Sequence, residues 1–134
     1  MSTPDVLIVD DDPRNCELLG RLLEIEGCRV RTASNAQSGF AMAAETAPDL
    51  VLMDIRMPGI DGFEACRRLR DTPAMAAKPI FLVTAYDDDD VWPQAAAAGA
   101  SGLLAKPYDR AALRRLLRSL SAPSPAAPGK RHEA

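Results

Sequence analysis

Short apolar runs, each ending at a polar side chain, recur along this chain. They lie at residues 6–9, 50–53, 80–83 and 103–105, and the polar residues that follow them are Asp10-Asp11, Asp54, Thr84 and Lys106-Pro107. Apolar runs of this length between turn-forming residues are typical of buried strands. Together with a short segment at residues 29–33, they predict five strands, of which the last three span residues 50–54, 79–84 and 102–106.

Between the predicted strands, apolar residues recur every three or four positions, as in helices that bury one face. Asp12, Asp61 and Asp109 precede such segments and are candidate N-caps. The fourth helix is expected to start near Asp89 or Asp90, because Pro93 is tolerated only in a first turn. The other helices are predicted from residue 13 to near 27, at 34–46, from 62 through 69, and from 110 through 120.

Strands that alternate with helices favour parallel βαβ units with right-handed crossovers. The sequence therefore predicts an α/β fold, a doubly wound (βα)5 sandwich with a parallel five-stranded sheet. A chain of 134 residues suits one domain with one core. We expect this domain at residues 1–120, and residues 121–134, rich in proline and alanine, as a flexible tail or linker stub.

The composition excludes several classes of protein. The formal charge of -3 gives no general attraction to nucleic acid. The chain contains neither a signal-peptide pattern nor an apolar run of about 18 residues, the length needed to span a bilayer. Its three cysteines are too scattered for a zinc site, and an odd number is a poor disulfide framework. We therefore expect a cytoplasmic protein that contacts neither nucleic acid nor membrane directly.

The polar residues at the strand ends are the candidates for chemistry. In open α/β sheets, ligands bind beyond the carboxyl ends of the strands, so these side chains would share one pocket. The carboxylates would repel one another there, and a hard, oxygen-seeking cation such as Mg²⁺ would keep them ionised. Asp54 is the best candidate for a nucleophile, because its strand is expected at the sheet centre and a loop follows.

From about residue 4 to 120, the chain resembles the receiver domain of two-component response regulators. The resemblance rests on Asp10-Asp11, Asp54, Thr84 and Lys106-Pro107, which occur in the family's order and spacing. The segment at residues 57–62 is also similar to the family's loop after its phosphorylated aspartate. The resemblance implies a flavodoxin-like sheet in the order 2-1-3-4-5. It also implies a phosphoprotein that receives its phosphoryl group from a histidine kinase or a histidine phosphotransfer protein.

The resemblance implies a magnesium site as well. In it, Asp11 would bind Mg²⁺ directly and Asp10 mostly through water. Asp54, the phospho-acceptor, and the backbone carbonyl of Arg56 would complete the protein ligands. Asp12 is adjacent, but its position before Pro13 favours capping over ligation.

For the phosphoryl group, the resemblance implies three contacts. Lys106 would place its ammonium near one phosphoryl oxygen, and the Thr84 hydroxyl would donate to another. The Ala85 amide would donate to the same group. The peptide bond between Lys106 and Pro107 is expected to be cis, as in the family, and to direct the lysine inward.

One position departs from the family pattern. Receivers usually carry Tyr or Phe three residues before the lysine, and this ring turns inward when the threonine moves toward phosphate. Here the residue is Leu103, which has no hydroxyl and no large planar surface. Tyr86 and Tyr108 lie nearby in the sequence and could take the place of this aromatic residue. Ordinary packing is the alternative for both.

Charge is unevenly distributed over the last two helices. Four aspartates at 87–90 precede the fourth helix, where capping and solvation explain them; an acidic docking patch beside Trp92 is the alternative. The last helix carries four arginines at 110, 114, 115 and 118, interpreted as a solvated face. The fourth helix lacks the basic residues through which DNA-binding members of the family dimerise. We therefore expect a monomer or weak dimer.

Two other classes of function share part of this pattern. Phosphatases of the haloacid-dehalogenase type also use an aspartate nucleophile, Mg²⁺, Thr and Lys, but that nucleophile lies on the first strand and a cap domain is normally added. Scaffold-type receivers tend to lack a pocket residue, and none is missing here. The sequence thus favours a signalling domain that works through protein–protein contacts and catalyses only its own phosphoryl transfer and dephosphorylation. No pattern identifies its downstream target.

Overall fold

A computed structural model describes residues 3–85 and 90–121, and their strands form one parallel five-stranded sheet. The strands are β1 (Asp5–Val9), β2 (Arg29–Ala33), β3 (Leu50–Asp54), β4 (Ile80–Thr84) and β5 (Gly102–Ala105). Their order is β2-β1-β3-β4-β5, and every neighbouring pair is parallel. The predicted fold class is therefore confirmed. Several predictions lie outside the described residues, namely those for Tyr86, for the first three aspartates of the acidic run and for the tail.

Five helices connect and flank these strands. They are α1 (Pro13–Ile25), α2 (Ala36–Glu45), α3 (Gly62–Arg70), α4 (Val91–Ala97) and α5 (Arg110–Ser121). The side chains of Asp12, Asp61 and Asp109 each accept a hydrogen bond of 2.9 Å from a backbone amide in the first turn of α1, α3 and α5. The three predicted aspartate caps are confirmed.

Several element ends differ from the prediction. Helix α2 begins at Ala36 instead of residue 34, because the side chain of Asn35 accepts from the amide of Ser38 at 2.8 Å and caps the helix. Helix α4 begins at Val91, after Asp90, whose side chain makes no capping bond within the described chain. Strands β4 and β5 are each one residue shorter than predicted. A 3-10 turn at Pro73–Met75, too short to show a periodicity, was not predicted.

The sheet has an apolar core on each face, because successive strand side chains point to opposite sides. In β1, Leu7 and Val9 face the layer of α2, α3 and α4, whereas Val6 and Ile8 face α1 and α5. The strand ends are thereby held at one edge of the sheet between two packed layers. No helix within residues 3–85 and 90–121 is long and apolar enough to cross a membrane.

Candidate functional site

A small cavity lies at the carboxyl ends of β3, β4 and β5. Its volume is about 140 Å³. The residues that line it are Asp54, Ile55, Arg56, Val83, Thr84, Ala85 and Lys106. The structure thus brings together the proposed phospho-acceptor and all three groups that the sequence assigned to phosphate contact.

An acidic cluster adjoins this cavity. Asp10, Asp11 and Asp54 each offer a carboxylate oxygen, and these atoms all lie within 4.8 Å of one another. Asp10 is buried, Asp54 is half-buried and Asp11 is exposed. Three oxygen ligands at this separation suit a hard divalent cation, so the cluster could hold a metal ion. Asp12 is engaged elsewhere, since it caps α1 and forms an ion pair with Arg14 at 3.3 Å.

The electrostatics of the cluster favour such an ion. Burial raises the pKa of Asp54 above its ordinary value, and the nearby Asp10 carboxylate raises it further, while the Lys106 ammonium opposes both. Burial likewise raises the pKa of Asp10, against the amide of Asp12, which donates to its Oδ1 at 2.9 Å. A cation bound between these carboxylates would lower both pKa values and favour the ionised forms.

The hydroxyl of Thr84 is the most informative group at this site. Thr84 is only 4% exposed, and its buried Oγ1 has no hydrogen-bond partner among the residues that the structure describes. A buried hydroxyl without a hydrogen-bond partner lowers the stability of the folded state, so such groups are rare in folded proteins. Thr84 lines the same cavity as Asp54 and Lys106, where an oxygen-bearing group could accept a hydrogen bond from its hydroxyl.

Lys106 is held in place through its backbone. Its amide donates to the carbonyl of Thr84 at 2.9 Å, which aligns the ends of β4 and β5. The Lys106–Pro107 peptide bond is cis. The half-buried lysine side chain lines the cavity, and its charge acts on both Asp10 and Asp54.

The loop between β3 and α3 closes tightly on Asp54 through Gly62, a residue for which no separate role was predicted. The Gly62 amide donates to the carbonyl of Ile55 at 2.8 Å. A Cβ at Gly62 would lie 2.5 Å from the backbone oxygen of Asp54 and 2.7 Å from the Cα of Ile55. A side chain there would force the backbone at Asp54 and Ile55 or the start of α3 to shift, and no local sequence pattern indicates this close approach.

Leu103 and Tyr108 lie on opposite faces of the sheet. Leu103 is 3% exposed and belongs to the cluster that α4 covers. Tyr108 packs against the cluster of α1 and α5, and burial raises its pKa to about 12. Tyr108 therefore does not fill the space around Leu103, and ordinary packing accounts for it.

Two arginines of the last helix have a specific partner instead of forming a purely solvated face. Arg110 and Arg114 of α5 bind the two carboxylate oxygens of Glu26 at 2.9 and 3.0 Å. Glu26 directly follows α1, so this pair of bonds joins the end of α1 to the first turns of α5.

Comparison with known proteins agrees with the fold. Residues 6–118 match the family model of the response regulator receiver domain. Protein PilH of Pseudomonas aeruginosa is 40% identical over 119 residues, which cover 87% of this chain and 97% of PilH. The chain therefore belongs to the receiver domain family of response regulators.

Other relatives are longer or more distant. Response regulator PleD of Caulobacter vibrioides is 41% identical over 116 residues, which cover 87% of this chain but only 26% of PleD. The chain thus spans about a quarter of that relative's length. The solved structure of chemotaxis protein CheY4 of Vibrio cholerae superposes with a TM-score of 0.84 at 27% identity, covering 89% of this chain and 99% of that one.

Proposed function

We propose that this chain is a phosphorylation-activated receiver that accepts a phosphoryl group on Asp54 from a histidine kinase or a histidine phosphotransfer protein. Membership of the family supports the proposal in general. The observation that carries it concerns Thr84, which lines one cavity with Asp54 and Lys106 and whose hydroxyl has no hydrogen-bond partner among residues 3–85 and 90–121. A phosphoryl group on Asp54 would supply the missing acceptor.

The chain's own residues account for the chemistry of transfer. A carboxylate oxygen of Asp54 attacks phosphorus, the P–N bond of the donor phosphohistidine breaks, and its electron pair returns to the imidazole. The Lys106 ammonium compensates phosphoryl charge, while the Thr84 hydroxyl and the Ala85 amide donate to phosphoryl oxygens. Apart from this transfer and the later hydrolysis of the aspartyl phosphate, the protein catalyses no reaction. It acts as a monomer or weak dimer through protein–protein contacts.

We propose that the site binds Mg²⁺, because its oxygen ligands are of the kind that this ion prefers. Asp10, Asp11, Asp54 and the backbone carbonyl of Arg56 would hold the ion. When bound, the ion neutralises charge on the carboxylates and on the incoming phosphoryl oxygens. The exposed position of Asp11 agrees with direct ligation of an ion that exchanges with solvent.

Intact mass spectrometry tests the proposal. The chain is incubated with acetyl phosphate, which serves as a small phosphoryl donor, in the presence and absence of Mg²⁺. We expect wild type to gain the mass of one phosphoryl group with Mg²⁺ only, and Asp54→Asn to gain none. Asp71→Asn, which changes an exposed carboxyl after α3, is the matched control and is expected to react like wild type. A phosphoryl mass on Asp54→Asn would contradict the assignment.

A further inference from the structure

Helix α1 carries a row of large apolar side chains on its outer side. Leu18 and Ile25 are 53% and 59% exposed, and they are the exposed large apolar residues of the described chain. Leu22 lies between them and is partly buried. Residues three and four positions apart lie on the same side of a helix, so these three side chains form one continuous row, here called the α1 stripe. A continuous exposed apolar surface of this kind is typical of an interaction site.

The helix beneath the α1 stripe is fixed in place. Leu19 and Leu23, on its inner side, are 3% and 0% exposed and belong to the core. Glu26, directly after the helix, binds Arg110 and Arg114 of α5 at 2.9 and 3.0 Å. The folded chain therefore presents the stripe on a helix that binding does not have to order, which lowers the entropic cost of association.

Two opposite charges lie beside the α1 stripe. Arg21 and Glu24 are both exposed, and the helical repeat puts them on the same flank of the stripe. Neither side chain forms an ion pair or a hydrogen bond with another residue of the described ranges 3–85 and 90–121. Both charges are therefore available to a second molecule.

This arrangement of apolar and charged residues is complementary to itself. When two identical helices pack antiparallel across a twofold axis, residue i of one contacts residue j of the other, and j contacts i. With the axis at Leu22, this residue faces its own copy. Leu18 then faces Ile25, and Arg21 faces Glu24, each within about 1.5 Å along the helix, the rise of one residue. A single alignment thus satisfies the apolar contacts and the charges together.

We propose that the α1 stripe is the contact surface for a second copy of this chain, which binds through an antiparallel pair of α1 helices. Three side chains form a smaller surface than stable interfaces, which bury about 1,200 Å² or more, so we expect a dissociation constant on the order of 10⁻⁴ M. At the low micromolar concentrations of a denaturation experiment the chain is therefore a monomer. None of the residues in the contact lines the cavity around Asp54, and the inference does not depend on phosphorylation.

Sedimentation velocity tests the apolar part of the contact. We expect wild type to change from monomer to dimer between about 10 μM and about 1 mM, on either side of the expected constant. Leu18→Glu should stay monomeric, because pairing would bury its carboxylate among leucines. Ala44→Glu, at an exposed position of α2, is the matched control and should pair like wild type. A wild type that stays monomeric throughout, or a Leu18→Glu variant that pairs equally well, would overturn the proposal.

Exchange of the two charges tests the antiparallel alignment. Arg21→Glu and Glu24→Arg each place like charges opposite one another twice in the pair, so we expect each to weaken association about tenfold at low salt. The double variant Arg21→Glu/Glu24→Arg restores the attraction and should recover most of the wild-type affinity. The two single variants change the net charge in opposite directions, so net charge cannot explain a loss common to both. If the single variants pair like wild type, or the double variant recovers nothing, the antiparallel alignment is wrong.

Asp54→Asn separates this inference from the proposed function. Its substitution lies outside the α1 stripe, so this variant should pair like wild type even though it is expected to take up no phosphoryl group. Loss of pairing in Asp54→Asn would overturn the assignment of the contact to α1. An Asp54→Asn protein that pairs normally supports the contact whether or not wild type gains a phosphoryl mass.

Discussion

Leu103 of β5 lies directly opposite Leu82 of β4, and both side chains are buried in the cluster that α4 covers. Leu103 holds the position at which most receivers carry an aromatic ring. It does not line the cavity around Asp54. In this chain the position is therefore part of the core beneath α4.

Truncation of this leucine should destabilise the fold without affecting the chemistry. We expect Leu103→Ala to lower the free energy of unfolding by about 2–5 kcal/mol, because it leaves a cavity under α4. Leu18→Ala, at a leucine that is 53% exposed, is the control and should change it by about 0.5 kcal/mol or less. Urea denaturation measures both. A loss at Leu103 no larger than at Leu18 would show that α4 does not pack as described.

Mg²⁺ should stabilise the folded chain. At a tenfold excess over its dissociation constant, the ion adds about 1.4 kcal/mol to the free energy of unfolding if the unfolded chain does not bind it. In Asp11→Ala this response should disappear, whereas metal-free stability should stay equal or rise, because one repelling carboxylate is gone. Thermal melts with and without Mg²⁺ measure both effects, with Asp71→Ala as the control. A melting shift that persisted in Asp11→Ala would contradict the metal site.

Gly62→Ala should disturb the acidic cluster through the backbone. Its Cβ would overlap the carbonyl oxygen of Asp54, so the strand end or the helix must move, at a cost of about 1–3 kcal/mol. We expect weaker Mg²⁺ binding and slower phosphoryl uptake than in wild type. Gly20→Ala is the matched control, since its Cβ would meet only the Val30 side chain, at 3.5 Å, and that of Ile8, at 4.0 Å. If Gly62→Ala bound Mg²⁺ with wild-type affinity, the close approach at Gly62 would not be needed to position the acidic cluster.

The bonds of Glu26 with Arg110 and Arg114 predict a pH-dependent part of stability. Both arginines lower the pKa of Glu26 below its ordinary value. Its contribution is therefore present above the unfolded pKa of about 4.3 and is lost as pH falls through the lowered folded value. Glu26→Gln should melt below wild type at pH 7, and the difference should shrink in acid.

Melting curves between neutral and acidic pH measure this effect. Glu24→Gln, at an exposed carboxyl of α1, is the matched control and should follow wild type closely. A difference between Glu26→Gln and wild type that stayed constant across this range would mean that the carboxylate charge does not contribute to the contact between α1 and α5.

Local signals explain which parts of the fold can be predicted from the sequence. The caps at Asp12, Asp61 and Asp109 can be predicted because each aspartate is followed at once by a helical periodicity. The predicted start of α2 at residue 34 is two residues early, because Ser34 and Asn35 are both residue types that cap helices and only the path of the backbone decides between them. The strand order needed the family resemblance, since spacing alone leaves several orders open.

Some features of the site can likewise be predicted from the sequence, and others cannot. The meeting of Asp54, Thr84 and Lys106 can be predicted because each ends or directly follows a strand of one parallel sheet. The missing partner of the Thr84 hydroxyl cannot be predicted, since it depends on the whole wall of the cavity. Elsewhere in the fold, the hydrogen bonds of Arg70 to the carbonyl of Gly99 and the hydroxyl of Ser101 cannot be predicted either, because these groups lie 29 and 31 positions away and no local pattern relates them.

Trp92 is the one tryptophan of the chain, and its half-buried ring packs against the same core cluster as Leu103. The unmodified protein thus carries an intrinsic fluorophore in the first turns of α4. Its emission wavelength and its accessibility to a soluble quencher depend on how closely that end of the helix lies against the sheet. Stopped-flow fluorescence can therefore follow the helix in real time, in an unlabelled protein, from the moment a phosphoryl donor is added.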